Sequence, residues 1–219
     1  MKGKTAMPER VWHKTYPPEV PYEIDFRKIT IPGMLSQAAE KYPNHIAITF
    51  EGTTITYGQL NGLINSFSRA LLGLKVGKGK KLALLLPNTP HIVIACQAAL
   101  RIGAIPVMTS FLKGESDLIN QIKDSGACCL ISFSEYLEKI VNLKSIANLR
   151  FIIRACLADF QPRRRARKSR ENFKNPADFQ FLELLQQYSD EEVGHNSGWD
   201  EVAVIVYTMG TTGTSKGVV

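Results

Sequence analysis

The sequence predicts an α/β fold: layered sheets of mostly parallel strands, with helices on both faces. Two observations carry this prediction. From about residue 31 onward, short apolar stretches alternate with stretches whose apolar residues recur every three or four positions. Few residues separate consecutive stretches, which is typical of right-handed βαβ units. The chain has 219 residues, 44% of them hydrophobic, and can therefore fill a core between such layers.

The first elements follow an N-terminal extension, residues 1–30, which is rich in proline and charge and is expected to lie over a surface. "PGMLSQAAEKYP" predicts a helix that ends at Pro43, and "IAITF" predicts a strand before an "EG" turn. The next helix, "TYGQLNGLINSFSRALLGL", opens with Thr56 and Gln59 spaced as a capping box. Its apolar face recurs at Leu60, Leu63, Ile64, Phe67, Leu71 and Leu74.

The middle of the chain continues the alternation. "KLALLLPN" suits a strand that is buried on both faces, and "PHIVIACQAALRIG" has helical spacing. The strands "AIPVM", "CCLIS" and "LRFIIRA" are then separated by the helices "ESDLINQIKDSG" and "EYLEKIVNL". This order predicts that consecutive strands lie parallel in one sheet.

An interruption follows at residues 157–175, which are expected to form an inserted loop. After it, "FQFLELLQQY" predicts a helix and "HNSGWDE" a loop. "VAVIVYT" predicts a fully apolar strand that leads directly into a glycine, threonine and lysine cluster at the end of the sequence.

The net charge of +7 is concentrated in the inserted loop. The stretch "RRRARKSR" at residues 163–170 holds six basic residues and no acid, so the remainder of the chain carries 7 − 6 = +1. A like-charge block of this kind is typical of a solvated loop. The alternative is a surface that binds phosphate, an acidic membrane or nucleic acid. Of these partners, we expect no nucleic acid.

The cysteines lack the spacing of a metal site or a disulfide framework, and no histidine completes a ligand pattern. We interpret them as buried, inert thiols of a cytoplasmic protein. The N-terminus has no apolar segment behind its positive charges, and the most apolar later stretch is too interrupted to span a bilayer. The four cysteines are Cys96, Cys128, Cys129 and Cys156.

The closing cluster, "TMGTTGTSKG", combines three features that a polyphosphate requires. Glycines let backbone N–H groups converge, threonine hydroxyls add donors, and Lys216 adds a positive charge. A flexible surface turn is the alternative. The Walker A spacing is excluded, because counting from Gly210 puts Ser215 where its second glycine belongs and Gly217 where its magnesium-binding hydroxyl belongs.

The stretch "VIVYTMGTTGTSKGVV" resembles the signature loop of the adenylate-forming superfamily, Y-T-S-G-T-T-G-x-P-K-G-V. Upstream, "ITYGQL", "LALLLPN", "GAIPV" and "DSGA" follow one another as in a fatty-acyl-CoA synthetase. The resemblance runs from about residue 31 to residue 219 and is weakest over residues 157–195. It implies ATP, Mg²⁺ and coenzyme A as co-substrates and a fatty or other carboxylic acid as substrate.

The resemblance also assigns the loop a role. A carboxylate attacks the α-phosphate of MgATP, pyrophosphate leaves, and a coenzyme A thiol then displaces AMP. By resemblance, the loop would hold the β- and γ-phosphates, with no catalytic residue and no metal ligand within this chain. The implied phosphate-binding residues are Thr208, Met209, Gly210, Thr211, Thr212, Gly213, Thr214 and Lys216.

Two residues depart from the family loop. Met209 stands where the family prefers serine, which removes one hydroxyl donor. Ser215 replaces the usual proline, and we expect it to loosen the turn before Lys216 by restoring backbone freedom. We expect both to weaken or retune the phosphate contact and not to abolish it.

The resemblance implies that residues 31–219 are the first part of a larger N-terminal domain and that the small C-terminal domain is absent. We therefore expect an inactive N-terminal portion of an acyl-CoA synthetase. The alternative is a natural short, non-catalytic paralogue that acts as a binding or regulatory module. Peripheral membrane contact and a homodimer, formed through an exposed sheet edge, remain open.

Overall fold

The computed structural model describes residues 10–24, 26–110, 114–137, 143–161, 177–208 and 215–219. The helices are α1 (Ile31–Lys41), α2 (Tyr57–Gly73), α3 (Pro90–Arg101), α4 (Glu115–Ser125), α5 (Ser134–Leu137), α6 (Leu143–Ile146) and α7 (Phe181–Gln187). The strands are β1 (Ile46–Phe50), β2 (Thr53–Thr56), β3 (Lys81–Leu85), β4 (Ile105–Met108), β5 (Cys129–Phe133), β6 (Phe151–Ala155), β7 (Phe179–Gln180), β8 (Ile205–Tyr207) and β9 (Gly217–Val218). Two short 3-10 helices cover Val11–Thr15 and Leu157–Phe160.

In the described part of the chain, seven strands form the main sheet, in the order β7-β6-β5-β3-β4-β8-β9. The first six of these run parallel to their neighbours, and only β9 runs antiparallel, against β8. The prediction of a mostly parallel sheet is therefore confirmed. The order itself reflects crossover connections, because β4 and β5 lie on opposite sides of β3.

Helices cover both faces of the sheet, as predicted. Along β3 the side chains alternate, so Leu82 and Leu84 pack into a core with α2, α3 and α7. Ala83 and Leu85 point the other way, into a second core with α4, α5 and α6. Burial on both faces explains why β3 reads as a continuous apolar run.

The predicted capping box of α2 is present. The Thr56 hydroxyl accepts a hydrogen bond from the Gln59 backbone N–H, and the Gln59 side chain accepts one from the Thr56 N–H. These bonds satisfy two donors at the helix N-terminus that have no partner within the helix.

A small antiparallel sheet, β1 and β2, was not predicted as a pair. Its two-residue turn is formed by Glu51 (φ 48°) and Gly52 (φ 82°). Two consecutive positive φ values define the turn type whose twist matches a β-hairpin. The predicted "EG" turn is therefore the turn of a β-hairpin, and the four residues that follow it, Thr53–Thr56, form β2.

Other predicted elements differ in length. The predicted helix "EYLEKIVNL", residues 135–143, overlaps α5 at its start and reaches only the first residue of α6, while residues 138–142 lie outside the described residues. The strand "VAVIVYT" is shorter than predicted and only Ile205 of β8 is buried. The predicted inserted loop begins with a 3-10 helix, and the basic block at residues 163–170 lies outside the described residues.

Candidate functional site

The candidate site lies at the carboxyl edge of the main sheet. Because β8 is parallel to β4, the segment that follows it leaves the sheet at the edge where β3, β4, β5 and β6 also end. Open α/β sheets bind ligands outside the carboxyl ends of their strands. The closing cluster of the sequence is therefore placed where this architecture favours a site.

The two described ends of the cluster lie on paired antiparallel strands, β8 and β9. Val206 pairs with Val218 and Tyr207 with Gly217. Beyond this pair, the Thr208 N–H donates to the Lys216 carbonyl oxygen at 2.9 Å, and the Lys216 N–H donates to Thr208 Oγ1 at 3.1 Å. Two of the eight residues implied by the family loop thus face each other at its base. The other six lie outside the described residues: Met209, Gly210, Thr211, Thr212, Gly213 and Thr214.

Lys216 is exposed, and among the described residues no carboxylate oxygen lies within 4.0 Å of its ammonium. Its charge is therefore available to an anion. The Thr208 oxygen accepts a hydrogen bond from the Lys216 backbone, which leaves the hydroxyl proton free to be donated. Sequence reasoning counted this hydroxyl only as a donor and missed its part in closing the hairpin.

Gly217 has a packing role that differs from the predicted backbone bend. It lies in β9, and it is not among the described glycines with positive φ. A Cβ atom at this position would lie 3.2 Å from Ile205 Cγ2 and 3.3 Å from Tyr207 Cζ. Glycine is therefore used here because the side chains of β8 pass close to β9.

Helix α4 holds both stems of the hairpin. The Ser215 hydroxyl donates to Asp117, 3.0 Å from Oδ1 and 3.2 Å from Oδ2. The Tyr207 hydroxyl donates to Asp124 Oδ2 at 2.6 Å. The two carboxylates are seven residues apart and so lie on one face of α4. The spacing of Asp117 and Asp124 could have indicated a shared acidic face on α4. It could not have identified the hydrogen-bond partners of that face, which lie about 90 residues further along the chain.

The expectation that Ser215 would loosen the turn stays a prediction, and the position of the Ser215 side chain gives a physical reason against it. Its relative exposure is 9%, and its side chain is bonded to both oxygens of Asp117. Serine in place of proline allows the backbone more conformations. A side chain that is bonded to α4 in this way restricts those conformations again. The other departure, Met209, lies outside the described residues.

Tyr207 remains a neutral hydrogen-bond donor. Burial and the hydrogen bond to the negatively charged Asp124 both raise the pKa of Tyr207 above its ordinary value. Tyr207 therefore does not lose its proton near neutral pH.

The four cysteines are free thiols, but not all of them are buried as predicted. Only Cys129 is buried. The pKa of Cys128 is lowered to about 6, chiefly by a hydrogen bond with Cys129 and further by the charges of Arg150 and Lys80. Burial raises the pKa of Cys96 to about 11. Among these thiols, Cys128 is thus the one with a lowered pKa, and a lower pKa favours the reactive thiolate form.

No group of three or more potential metal ligands occurs among the residues that the structure describes. Within that same part of the chain, no helix has the length and apolar character needed to cross a membrane.

Solved structures share this fold. An anthranilate CoA ligase in complex with anthranoyl-AMP superposes with a TM-score of 0.74 and 21% sequence identity, over 87% of this chain and 34% of that one. O-succinylbenzoate coenzyme A synthetase from Bacillus subtilis, in complex with AMP, gives a TM-score of 0.61 and 24% identity over 84% of this chain and 40% of that one. The fold is that of the N-terminal domain of adenylate-forming enzymes.

Sequence comparison identifies the family. Residues 35–219 match the AMP-binding enzyme family, and the chain belongs to it. Long-chain-fatty-acid–CoA ligases of Bacillus subtilis and Yersinia pestis are 26% and 28% identical, each over 96% of this chain. The chain spans 40% of the length of these relatives.

Proposed function

We propose that these residues form the N-terminal part of an ATP-dependent acyl-CoA synthetase and that the hairpin loop binds the phosphates of ATP. The observation that carries this proposal is the position of Lys216. Lys216 ends a Gly/Thr-rich stretch at the carboxyl edge of the sheet, and its exposed ammonium has no carboxylate partner among the described residues, in a chain of the AMP-binding enzyme family.

The proposed chemistry begins with adenylation. An oxygen of the substrate carboxylate forms a bond to the α-phosphorus of ATP, and the bond from that phosphorus to the bridging oxygen of pyrophosphate breaks. Negative charge grows on the leaving pyrophosphate, so a cation and hydrogen-bond donors already in place lower the barrier. Lys216 would supply the charge and Thr208 one of the donors. The thiol of coenzyme A would then displace AMP from the acyl-adenylate.

The substrate class that we propose is a long-chain fatty acid. This proposal draws on the relatives, which are named long-chain-fatty-acid–CoA ligases. Magnesium would travel with ATP, bound to the phosphate oxygens. We further propose that the remaining ligands of magnesium, and the groups that bind adenine, belong to the portion of the relatives that this chain does not span.

The test is exchange of labelled pyrophosphate into ATP, dependent on a carboxylic acid, by the whole native protein that carries these residues. Lys216→Ala should slow exchange about 10²-fold, because it removes a preorganised charge at the leaving group. Lys216→Arg should retain part of the activity. Lys80→Ala, an exposed lysine at the amino end of β3, is the matched control and should have little effect. Full exchange in Lys216→Ala would refute the phosphate-binding role.

A second arm concerns the 219-residue polypeptide expressed alone. We expect no exchange from it, because a phosphate loop without adenine and magnesium sites cannot position ATP for attack. Turnover by this polypeptide would contradict the assignment of the missing groups to the rest of the relatives' length.

A further inference from the structure

We propose that Asp117 is a positioning residue for the loop that carries Lys216, and that the Ser215–Asp117 hydrogen bond takes over the role that proline plays at the corresponding position of the family loop. This inference rests on the proposed function. It assigns to a residue of α4 a part in binding the phosphates of ATP, although that residue lies 98 positions before Ser215.

The carboxylate of Asp117 is held firmly. Gln121, one turn later in α4, donates from Nε2 to Asp117 Oδ2 at 2.5 Å. The Gln121 Oε1 atom in turn accepts a hydrogen bond of 3.1 Å from the backbone N–H of Ser110, just beyond the carboxyl end of β4. Asp117 is therefore anchored both to its own helix and to the edge of the sheet.

The hydroxyl of Ser215 completes this network. It lies between both oxygens of Asp117, and Ser215 and Gln121 are both buried. A hydrogen bond to an ionised carboxylate is stronger than one between neutral groups, and the burial of Ser215 limits competition from water. The residue immediately before Lys216 is thus fixed to the rigid part of the fold.

Proline would fix the same position differently. Its ring restricts φ to about −65° and removes conformations that serine can adopt. Serine does not restrict φ in this way. Here the Ser215 side chain instead fixes the backbone through its hydrogen bond to Asp117. The two residues would solve one physical problem, which is to hold the backbone before Lys216 in a single conformation.

A role in direct contact with phosphate does not fit Asp117. A carboxylate repels phosphate, and both of its oxygens already accept hydrogen bonds from Ser215 and Gln121. The second stem has a parallel attachment, since Tyr207 donates to Asp124. One helix therefore holds both ends of the loop. Because the ends are already fixed, less of the free energy of ATP binding is needed to order them.

The experiment uses the whole native protein and four variants: Ser215→Ala, Asp117→Asn, Ser215→Pro, and Ser215→Pro combined with Asp117→Asn. Steady-state exchange gives kcat and KM for ATP, and hydrogen exchange reports on the amides of Thr208 and Lys216. Thermal unfolding verifies that each variant folds. Asp178→Asn removes a carboxylate bonded to Lys144 and to the Ile152 N–H, away from the hairpin, and serves as the control.

Loss of the charge-assisted bond should raise KM for ATP about tenfold in Ser215→Ala and Asp117→Asn. It should also speed exchange of the two amides. Ser215→Pro should behave as the wild type, and in its background Asp117→Asn should cost little, because proline makes the attachment dispensable. Asp178→Asn should leave KM for ATP unchanged.

The outcomes separate the two proposals. If the wild-type protein exchanges pyrophosphate and Ser215→Ala matches it in KM and amide exchange, the positioning role is overturned while the proposed function stands. If Asp117→Asn is as harmful in the Ser215→Pro background as in the wild type, the replacement of proline by the hydrogen bond is overturned. If the wild-type protein shows no exchange with any carboxylic acid, the proposed function fails and this inference fails with it.

Discussion

His195 connects the segment after α7 to helix α1. Its Nε2 atom lies 3.1 Å from the Ser36 hydroxyl oxygen. Partial burial and then the nearby positive charge of Arg101 lower the pKa of His195, and the charge of Glu192 opposes them only in part. The folded chain thus disfavours the protonated ring.

This shift predicts acid sensitivity. A histidine whose pKa is lowered by folding contributes stability that is fully present above the unfolded value of 6.5 and is lost as pH falls through the folded pKa. Between about pH 7.5 and about pH 5, the free energy of unfolding should fall more steeply for the wild type than for His195→Gln. Urea unfolding of the 219-residue polypeptide measures both curves. Parallel curves would show that His195 does not carry this dependence.

At the scale of elements, a buried arginine connects three helices and a loop. Arg101 of α3 is 1% exposed. Its guanidinium donates to Asn65 and Asn61 of α2 and to Ser36 of α1, the last two at 2.8 and 3.2 Å. Its carbonyl oxygen accepts from the Asn196 N–H at 2.8 Å. The planar guanidinium reaches partners that a single ammonium could not.

Removal of this guanidinium should therefore destabilise the fold. Arg101→Met takes the donor away from two amide oxygens, one of them on the buried Asn65, and we expect it to lower the free energy of unfolding by about 3 kcal/mol. The matched control is Arg69→Met, because Arg69 is partly exposed and pairs with the exposed Glu191. It should cost less than about 1 kcal/mol. Equal losses for the two variants in denaturant unfolding would disprove a special role for Arg101.

Elements with a strong local signal could be predicted from the sequence, and those that depend on distant partners could not. The α2 helix has a regular apolar face and its own capping residues, so its start was predicted correctly. β9 has two residues, and its pairing depends on the close approach of Gly217 to Tyr207. The Ser215–Asp117 bond joins positions that no local pattern connects. The candidate loop was found by its composition, but its support on α4 was not.

At the scale of the whole molecule, strand order decides which residues share the candidate site. β3 and β5 are neighbours although β4 lies between them in the sequence, because β4 is placed on the other side of β3. The long connection after β7 then returns the chain to the far side of the sheet, where β8 pairs with β4. This return brings the hairpin beside α4. Alternating helices and strands predict a parallel sheet, but they do not specify this order.

The β9 edge of the sheet leads to a prediction about self-association. β9 ends the described sheet, and Val218 on it is 54% exposed. A strand edge with apolar side chains can pair with the same edge of a second copy, since both offer unpaired N–H and C=O groups. The 219-residue polypeptide should therefore form dimers as its concentration rises, and Val218→Lys should weaken them, because two lysines would meet at the contact. Sedimentation equilibrium over a concentration series measures both.

The control for this prediction is Ile46→Lys. Ile46 is 59% exposed and lies in β1, part of the separate two-stranded sheet, so its substitution changes net charge and surface polarity as Val218→Lys does without touching the β9 edge. It should leave the association constant of the polypeptide unchanged. A similar weakening by both substitutions would point to net charge, and a monomer at every concentration would show that the β9 edge does not pair. Dimers lost only in Val218→Lys would locate the contact at this edge, next to the loop that carries Lys216.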